Sequence, residues 1–324
     1  MSDAVVDLPA KAPVAQTAVH GQGWLRRALD SDLFYSFRRS KLTMLATAIT
    51  ILFFLLAIFA SLVSPQNPFD PAQLQLMNSR IPPLWTAEGQ SPFLLGTDEQ
   101  GRDVLSAILY GMRVSLVVGV LGVVLSGILG IVLGLMAGYF GGVVDSVIMR
   151  VADVQLTFPA ILIALLVNGI AKSVFGNHLD SASMLAVLVF AIGLSFWVQY
   201  ARTVRGSVLV EKNKDYVAAA QLIGLPAPVI MLRHVLPNTM GPILVIATIN
   251  LALAIITEAT LSFLGAGMPD TMPSLGTLIR IGNNYLFAGE WWIVAFPGFA
   301  LAALILSINL LGDWLRDALN PKLR

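Results

Sequence analysis

Between Thr43 and Val63 the chain runs twenty-one residues without a charge. At 1.5 Å of rise per residue, a helix of that length crosses the roughly 30 Å hydrocarbon core of a bilayer. Backbone amides in lipid have no water to bond, which restricts such a run to helix. Comparable runs follow over Ser115–Gly138, within 138–171, from Met184 to about Tyr200, from Pro242 to about Phe263, and over Trp292–Gly312. The pattern predicts an all-α integral membrane protein with six transmembrane helices. The first run is too long and too far from the N-terminus for a cleaved signal peptide, and reads as a retained anchor. Composition agrees: 12% of residues are charged, about half the fraction usual in soluble domains. A net charge of +1 and the absence of cysteine give no case for nucleic-acid binding, disulfides or thiolate metal sites.

The segments between the runs set the organisation. Residues 1–20 are small, polar and Pro-bearing and read as a disordered cytoplasmic tail. Residues 21–110 hold an N-terminal region. It comprises a basic, aromatic helix over 22–41 that reads equally as lying on the membrane surface or as a plain cytoplasmic helix, the first span, and a long polar loop over 64–112. Within that loop Gly96, Asp98 and Gly101 read as turns, and Asp103–Met112 as an amphipathic helix leading into the second span. Asp98, Glu99 and Asp103 admit a metal or catalytic reading, but turn and cap duties suit their spacing better. Residues 111–312 form the main membrane domain, and 313–324 a charged tail. With the N-terminus inside, fifteen of the twenty Lys and Arg fall on the inner side. The positive-inside rule therefore puts both termini in the cytoplasm.

The polar island from Asp215 to Asn238 lies on that same side. Asp215 places negative charge in a first helical turn. Ala218, Ala219 and Ala220 give high helix propensity with little bulk. Gly224 fits the left-handed residue that closes a helix, with Pro226 just beyond. Pro237 and Asn238 mark a second turn, after a second short helix and before the next apolar run. A bare alanine face buries little area in its own core but lets a helix enter another protein's groove, so the island reads as a docking element. An ordinary interfacial helix-turn-helix is the alternative.

Other residues stand out by position. Ser126, Gly130, Gly134 and Gly138 recur every fourth residue and form a small-residue groove for a closely packed helix, in this chain or another. Arg150 and Asp153, three apart, can pair on one helix face. Pro159 predicts a kink in the third span. Glu258 is an acid inside an apolar run, where ionisable groups usually face protein or a wet cavity. Pathway-lining and structural readings of it are equally open. Residues 264–290 read as an outer loop, with Trp291 and Trp292 at the interface. No Lys follows a Gly anywhere in the chain, so the GxxxxGK[ST] phosphate loop of ATPases is absent. HExxH, GxSxG and clustered histidines are absent too, which leaves no catalytic residues and no metal ligands to nominate.

Several stretches together carry a family likeness. They are GTDEQGRDVLS at 96–106, GYFGG at 138–142, the Ala218–Gly224 segment with its Leu236-Pro237 ending, LSFLG at 261–265 and NLLGDWLRDALNPK at 309–322. The chain resembles the "C" permease of bacterial ABC-type dipeptide and oligopeptide importers over about residues 30–324. One departure is Ala218, where the family often has Glu. The resemblance implies a type I importer permease fold in the inner membrane and a partner "B" permease that completes the pore. It also implies two cytoplasmic ATPases that bind the ATP, a periplasmic substrate-binding protein, and alternating access. Asp215, Ala218, Ala219, Ala220, Gly224, Pro237 and Asn238 would couple to the ATPases. No cofactor is expected in this chain. A stand-alone secondary transporter or a membrane-embedded enzyme remain as other classes. Substrate choice among peptides, nickel chelates, glutathione and other solutes is not encoded in these features.

Overall fold

The computed structural model describes residues 37–175 and 180–319. The chain divides into a unit ending at Ser40 and a second from Lys41 onward. The expected disordered tail, residues 22–36 of the expected 22–41 helix, residues 176–179 and the last five residues of the charged tail lie outside the described residues.

Helix α1 (Lys41–Ile58) turns Thr43, Ala46, Thr50 and Ala57 inward and leaves Leu45, Leu52 and Leu55 on its outer face. It is followed by the single turn α2 (Ala60–Val63). Helix α3 (Val104–Phe140) is 37 residues long. At 1.5 Å per residue it measures about 55 Å, well beyond a bilayer core. The separate amphipathic helix expected before the second span is therefore corrected: nothing between Met112 and Ser115 breaks the helix, and the two are one rod. Asp103 caps it, accepting from the Ser106 amide at 2.8 Å.

The third expected span is two helices, α4 (Gly142–Leu156) and α5 (Ala160–Phe175), bent by 93°. Pro159 does more than kink: its carbonyl accepts from the Leu162 amide and opens α5. Counting the bent pair as one span gives six candidate spans among the described residues, and five without it.

Helix α6 (Ser181–Glu211) does not end near Tyr200, where Arg202 and Arg205 close the apolar run, but continues past both. The two arginines face acids on α4, Arg202 pairing with Asp153 and Arg205 with Asp145. Paired in this way, they do not stop the helix. The expected Arg150–Asp153 pair is corrected at the same point, because Asp153 is engaged across to α6. Helix α7 (Asp215–Leu222) follows, then the single turn α8 (Ala227–Val229), a π-helical turn over Ile230–Val235, and α9 (Leu236–Phe263).

Pro237 and Asn238 are thus not a turn but sit in the first turn of α9, in a rod running from Ala227 to Phe263. Pro237 lacks an amide proton, and its ring would clash with the carbonyl four residues back. A wide π turn immediately before it relieves that clash and keeps the helix unbroken.

The expected outer loop at 264–290 contains a helix, α10 (Leu275–Asn283), capped by the Ser274 hydroxyl and buried through Leu275, Leu278 and Ile281. Helix α11 (Trp292–Ala318) completes the fold. Its Trp292 is buried and donates from Nε1 to the Thr97 carbonyl at 3.1 Å.

One core joins α1, α3, α9, α10 and α11 around Met112, Leu116, Ile255 and Leu304. A second packs α3, α5, α6 and α9 around Val118, Leu188 and Ile192. The third lies under α7, around Val208, Val217, Ala220 and Ile230.

Candidate functional site

The 215–238 island is held at one end of the bundle by polar contacts to both spans that flank it. The Glu211 carboxylate at the end of α6 accepts from Lys214 Nζ at 2.7 Å and from the Tyr216 hydroxyl. Tyr216 in turn accepts from Asn238 Nδ2 at 3.1 Å, and Asn238 also donates to the His234 carbonyl. Burial first, and then the Glu211 hydrogen bond, raise the pKa of the Tyr216 phenol, so it stays a proton donor. Lys212 Nζ donates to the Gly138 carbonyl at the end of α3.

Val217 and Ala220 point into the third core, while Asp215, Ala218 and Ala219 are exposed. The expectation of three outward alanines is corrected for Ala220, which is buried. Successive helical residues turn by 100°, and three in a row cannot share a face. The exposed surface is completed instead by Leu222 and Ile223, 88% and 76% exposed. Two apolar side chains so open at a helix end contrast with the residues beneath them. Gly224 follows at φ +77°, the left-handed closure expected of it, in open space. Sequence reasoning missed Leu222 and Ile223. Their only signal was an apolar pair just ahead of a glycine stop. Tyr216 and Glu211 were missed as well, because their roles depend on contacts across a turn.

Glu258 lies at the other end of α9 and is fully buried. Its two carboxylate oxygens accept from Ser115 on α3 at 2.8 Å and from Ser262 at 2.7 Å. Ser115 Oγ also accepts from the Leu275 amide that begins α10, and Ser262 Oγ from the Met268 amide. One carboxylate thus ties α3, α9 and α10 together. The helical spacing of Glu258 and Ser262 was legible in the sequence, whereas the Ser115 contact spans 143 residues and was not.

The small-residue groove on α3 is filled by α6 of the same chain. A Cβ at Gly130 would lie 2.4 Å from both the Trp197 carbonyl and Tyr200 Cβ; at Gly134, 2.6 Å from the Ala201 carbonyl; at Gly138, 2.7 Å from Val208 Cβ. Ser126 is buried on the same face. The groove therefore sets the distance between α3 and α6, and α6 leads directly into the 215–238 island.

The 64–103 segment folds over the Glu258 end. Asp98 and Arg102 form a buried ion pair, and Arg102 Nη1 reaches the Asp270 carbonyl at 3.2 Å. Arg80 pairs with Glu290 at 3.3 Å. Burial, followed by the Asp98 charge, raises the pKa of Glu99, and burial raises that of Asp103. Asp98 Oδ1 accepts from the Gln100 and Arg102 amides as in a turn, and Asp103 accepts from the Ser106 amide as a helix cap. Among the described residues no group of three His, Asp or Glu side chains could hold a metal ion.

These features define a multi-span helical membrane protein with a small exposed helix at one end and a folded polar cap at the other. Residues 130–324 match the family described as binding-protein-dependent transport system inner membrane component. Residues 31–83 match the N-terminal TM domain of oligopeptide transport permease C. The dipeptide transport system permease protein DppC of Escherichia coli K12 is 41% identical over 90% of this chain and 93% of its own. The di/tripeptide permease DppC of Pseudomonas aeruginosa is 40% identical over 85% and 87%. The oligopeptide permease OppC of Bacillus subtilis is 34% identical over 96% of each. A solved chain of the MetNI methionine ABC transporter, in an inward-facing conformation, aligns at TM-score 0.49 and 18% identity. It covers 67% of this chain and 96% of the other.

The chain belongs to the family of binding-protein-dependent transport system inner membrane components.

Proposed function

We propose that this chain is one of two permease subunits of an ABC importer in the bacterial inner membrane, and that it carries dipeptides or short oligopeptides into the cytoplasm. The relatives named above support the substrate class. In this reading both termini and α7 face the cytoplasm, in line with the excess of Lys and Arg there. A homologous "B" permease completes the pore, and a periplasmic binding protein delivers substrate to the cap formed by 64–103 and 264–291. Two cytoplasmic ATPases supply the energy, since the chain has no phosphate loop of its own.

The observation that carries the proposal is the construction of α7. Ala218, Ala219, Leu222 and Ile223 are presented outward, on a short helix bonded through Tyr216 to the ends of α6 and α9. An ATPase groove that closes on ATP binding displaces this helix, and α6 and α9 move with it. Such coupling requires that the two pore states differ in affinity for the ATPase dimer. Gly224 holds the exit from α7, and Pro237 and Asn238 sit within the following rod, in the first turn of α9. Glu258 enters as a pathway candidate acting through α10, because its serine bonds fix that helix against α3.

The test is co-expression with the neighbouring transport subunits and purification in mild detergent. Wild-type protein brings down ATPase subunits. Leu222→Asp and Gly224→Val insert normally but lose uptake, either by releasing the ATPases or by leaving their hydrolysis unregulated. Normal uptake by both variants refutes the docking role. Unchanged transport by Glu258→Ala at every substrate level returns Glu258 to purely structural duty.

A further inference from the structure

Arg113 stands at the mouth of a groove between α1 and α3. The groove has a volume of about 240 Å³, and apart from the guanidinium its walls are hydrocarbon, from Phe54, Ile58, Leu116, Val120 and Leu121. Arg113 Nε donates to the Ala57 carbonyl at 2.7 Å and Nη2 to the Ile58 carbonyl at 2.9 Å, closing the end of α1. A guanidinium has five N–H donors, so three remain. No carboxylate among the described residues pairs with it. The Tyr110 ring lies 5.3 Å from its central carbon.

The depth is fixed by α1. The first apolar run ends at Val63, five residues past α1, so the final carbonyls of α1 lie within about 8 Å of the level where hydrocarbon gives way to headgroups. Tyrosine and arginine both favour that level. The surrounding surface of α1 and of the turn α2 after it is open and apolar: Leu55, Ile58, Phe59 and Leu62 are all exposed.

We propose that this groove binds a glycerophospholipid, with one acyl chain lying along Phe54, Leu116 and Val120 and the phosphate on the free edge of Arg113. A phosphate supplies the anion that the guanidinium lacks, in the two-pronged geometry it prefers. An apolar helix from another subunit would fill the groove but would bring no anion to the guanidinium. The ligand chemistry therefore favours lipid over protein.

The assay uses the complete transport complex in nanodiscs doped with phosphatidylglycerol carrying a diazirine on its acyl chain. Irradiation followed by peptide mass spectrometry should place adducts on 54–58 and 116–121. Arg113→Gln should lower that adduct yield several-fold while leaving adducts elsewhere on the complex unchanged. Val120→Trp, which fills the groove without touching the α1 carbonyls, should abolish it. Adducts spread evenly over the membrane face, or a yield unaffected by both variants, would overturn the proposal. So would a photoreactive residue at Leu121 that crosslinks to another subunit instead of lipid.

Discussion

Gly130→Ala isolates the contact that sets the spacing of α3 and α6. The new Cβ would meet the Trp197 carbonyl oxygen and Tyr200 Cβ, each at 2.4 Å, and the Ala201 amide at 3.0 Å. Two of these are backbone atoms of a hydrogen-bonded helix and the third is a Cβ, so none is a flexible tip that can swing aside. Overpacking of this kind costs about 1–3 kcal/mol, and the rigid neighbours put Gly130 at the upper end. Replacing glycine by alanine inside a helix returns about 1 kcal/mol. The net expectation is a loss of about 2 kcal/mol, roughly a thirty-fold change in the folded-to-unfolded ratio.

Gly206→Ala is the matched control. It lies in α6 with nothing within 4 Å of a built Cβ, so only the helix gain applies and stability should rise slightly. Unfolding of the purified protein by sodium dodecyl sulfate titration in mixed micelles, followed by circular dichroism, measures both. The reasoning is refuted if Gly130→Ala is as stable as wild type while Gly206→Ala shows the expected gain.

Other outcomes follow from the same geometry. Glu258→Ala leaves the buried Ser115 and Ser262 hydroxyls without their acceptor and should cost about 3 kcal/mol, with α10 amides losing hydrogen-exchange protection first. Tyr216→Phe removes the shared hydroxyl between Glu211 and Asn238. It should leave the membrane helices as stable as before while raising exchange at 215–222; unchanged exchange there would refute the tie. The cap should loosen as pH rises. Glu99, shifted up by burial and then by Asp98, and Asp103, shifted up by burial, hold protons when folded that the unfolded chain has released. Stability is therefore lost between the ordinary carboxylate range and the raised values. Exchange protection of amides 96–104, corrected for intrinsic rate, should fall across that window, and less so in Glu99→Gln. Protection that grows with pH contradicts the assignment.

The membrane spans were legible because twenty uncharged residues have almost no alternative to helix in lipid. Their ends were not. Arg202 and Arg205 read as a terminus until Asp153 and Asp145 are placed opposite them, and that pairing spans about fifty to sixty residues of sequence. Pro237 reads as a stop, and only the backbone reveals that a π turn absorbs it. Helix α10 carried its own signal, a Ser274 cap followed by Leu275, Leu278 and Ile281, but an assignment as loop between two spans concealed it. At the 215–238 island the sequence contained the helix, the glycine stop and the small residues. Which of the three alanines faces outward depends on Val208, Val217 and Ile230 gathering beneath, and no local rule supplies that.

The single phenol of Tyr216 joins the ends of two long rods that also pack against each other along their length. A load applied to the little crosspiece between them is therefore shared, and neither shaft can swing alone without first parting a bond at the yoke. The joint thus favours paired motion, and an isolated hinge in either shaft begins at a disadvantage.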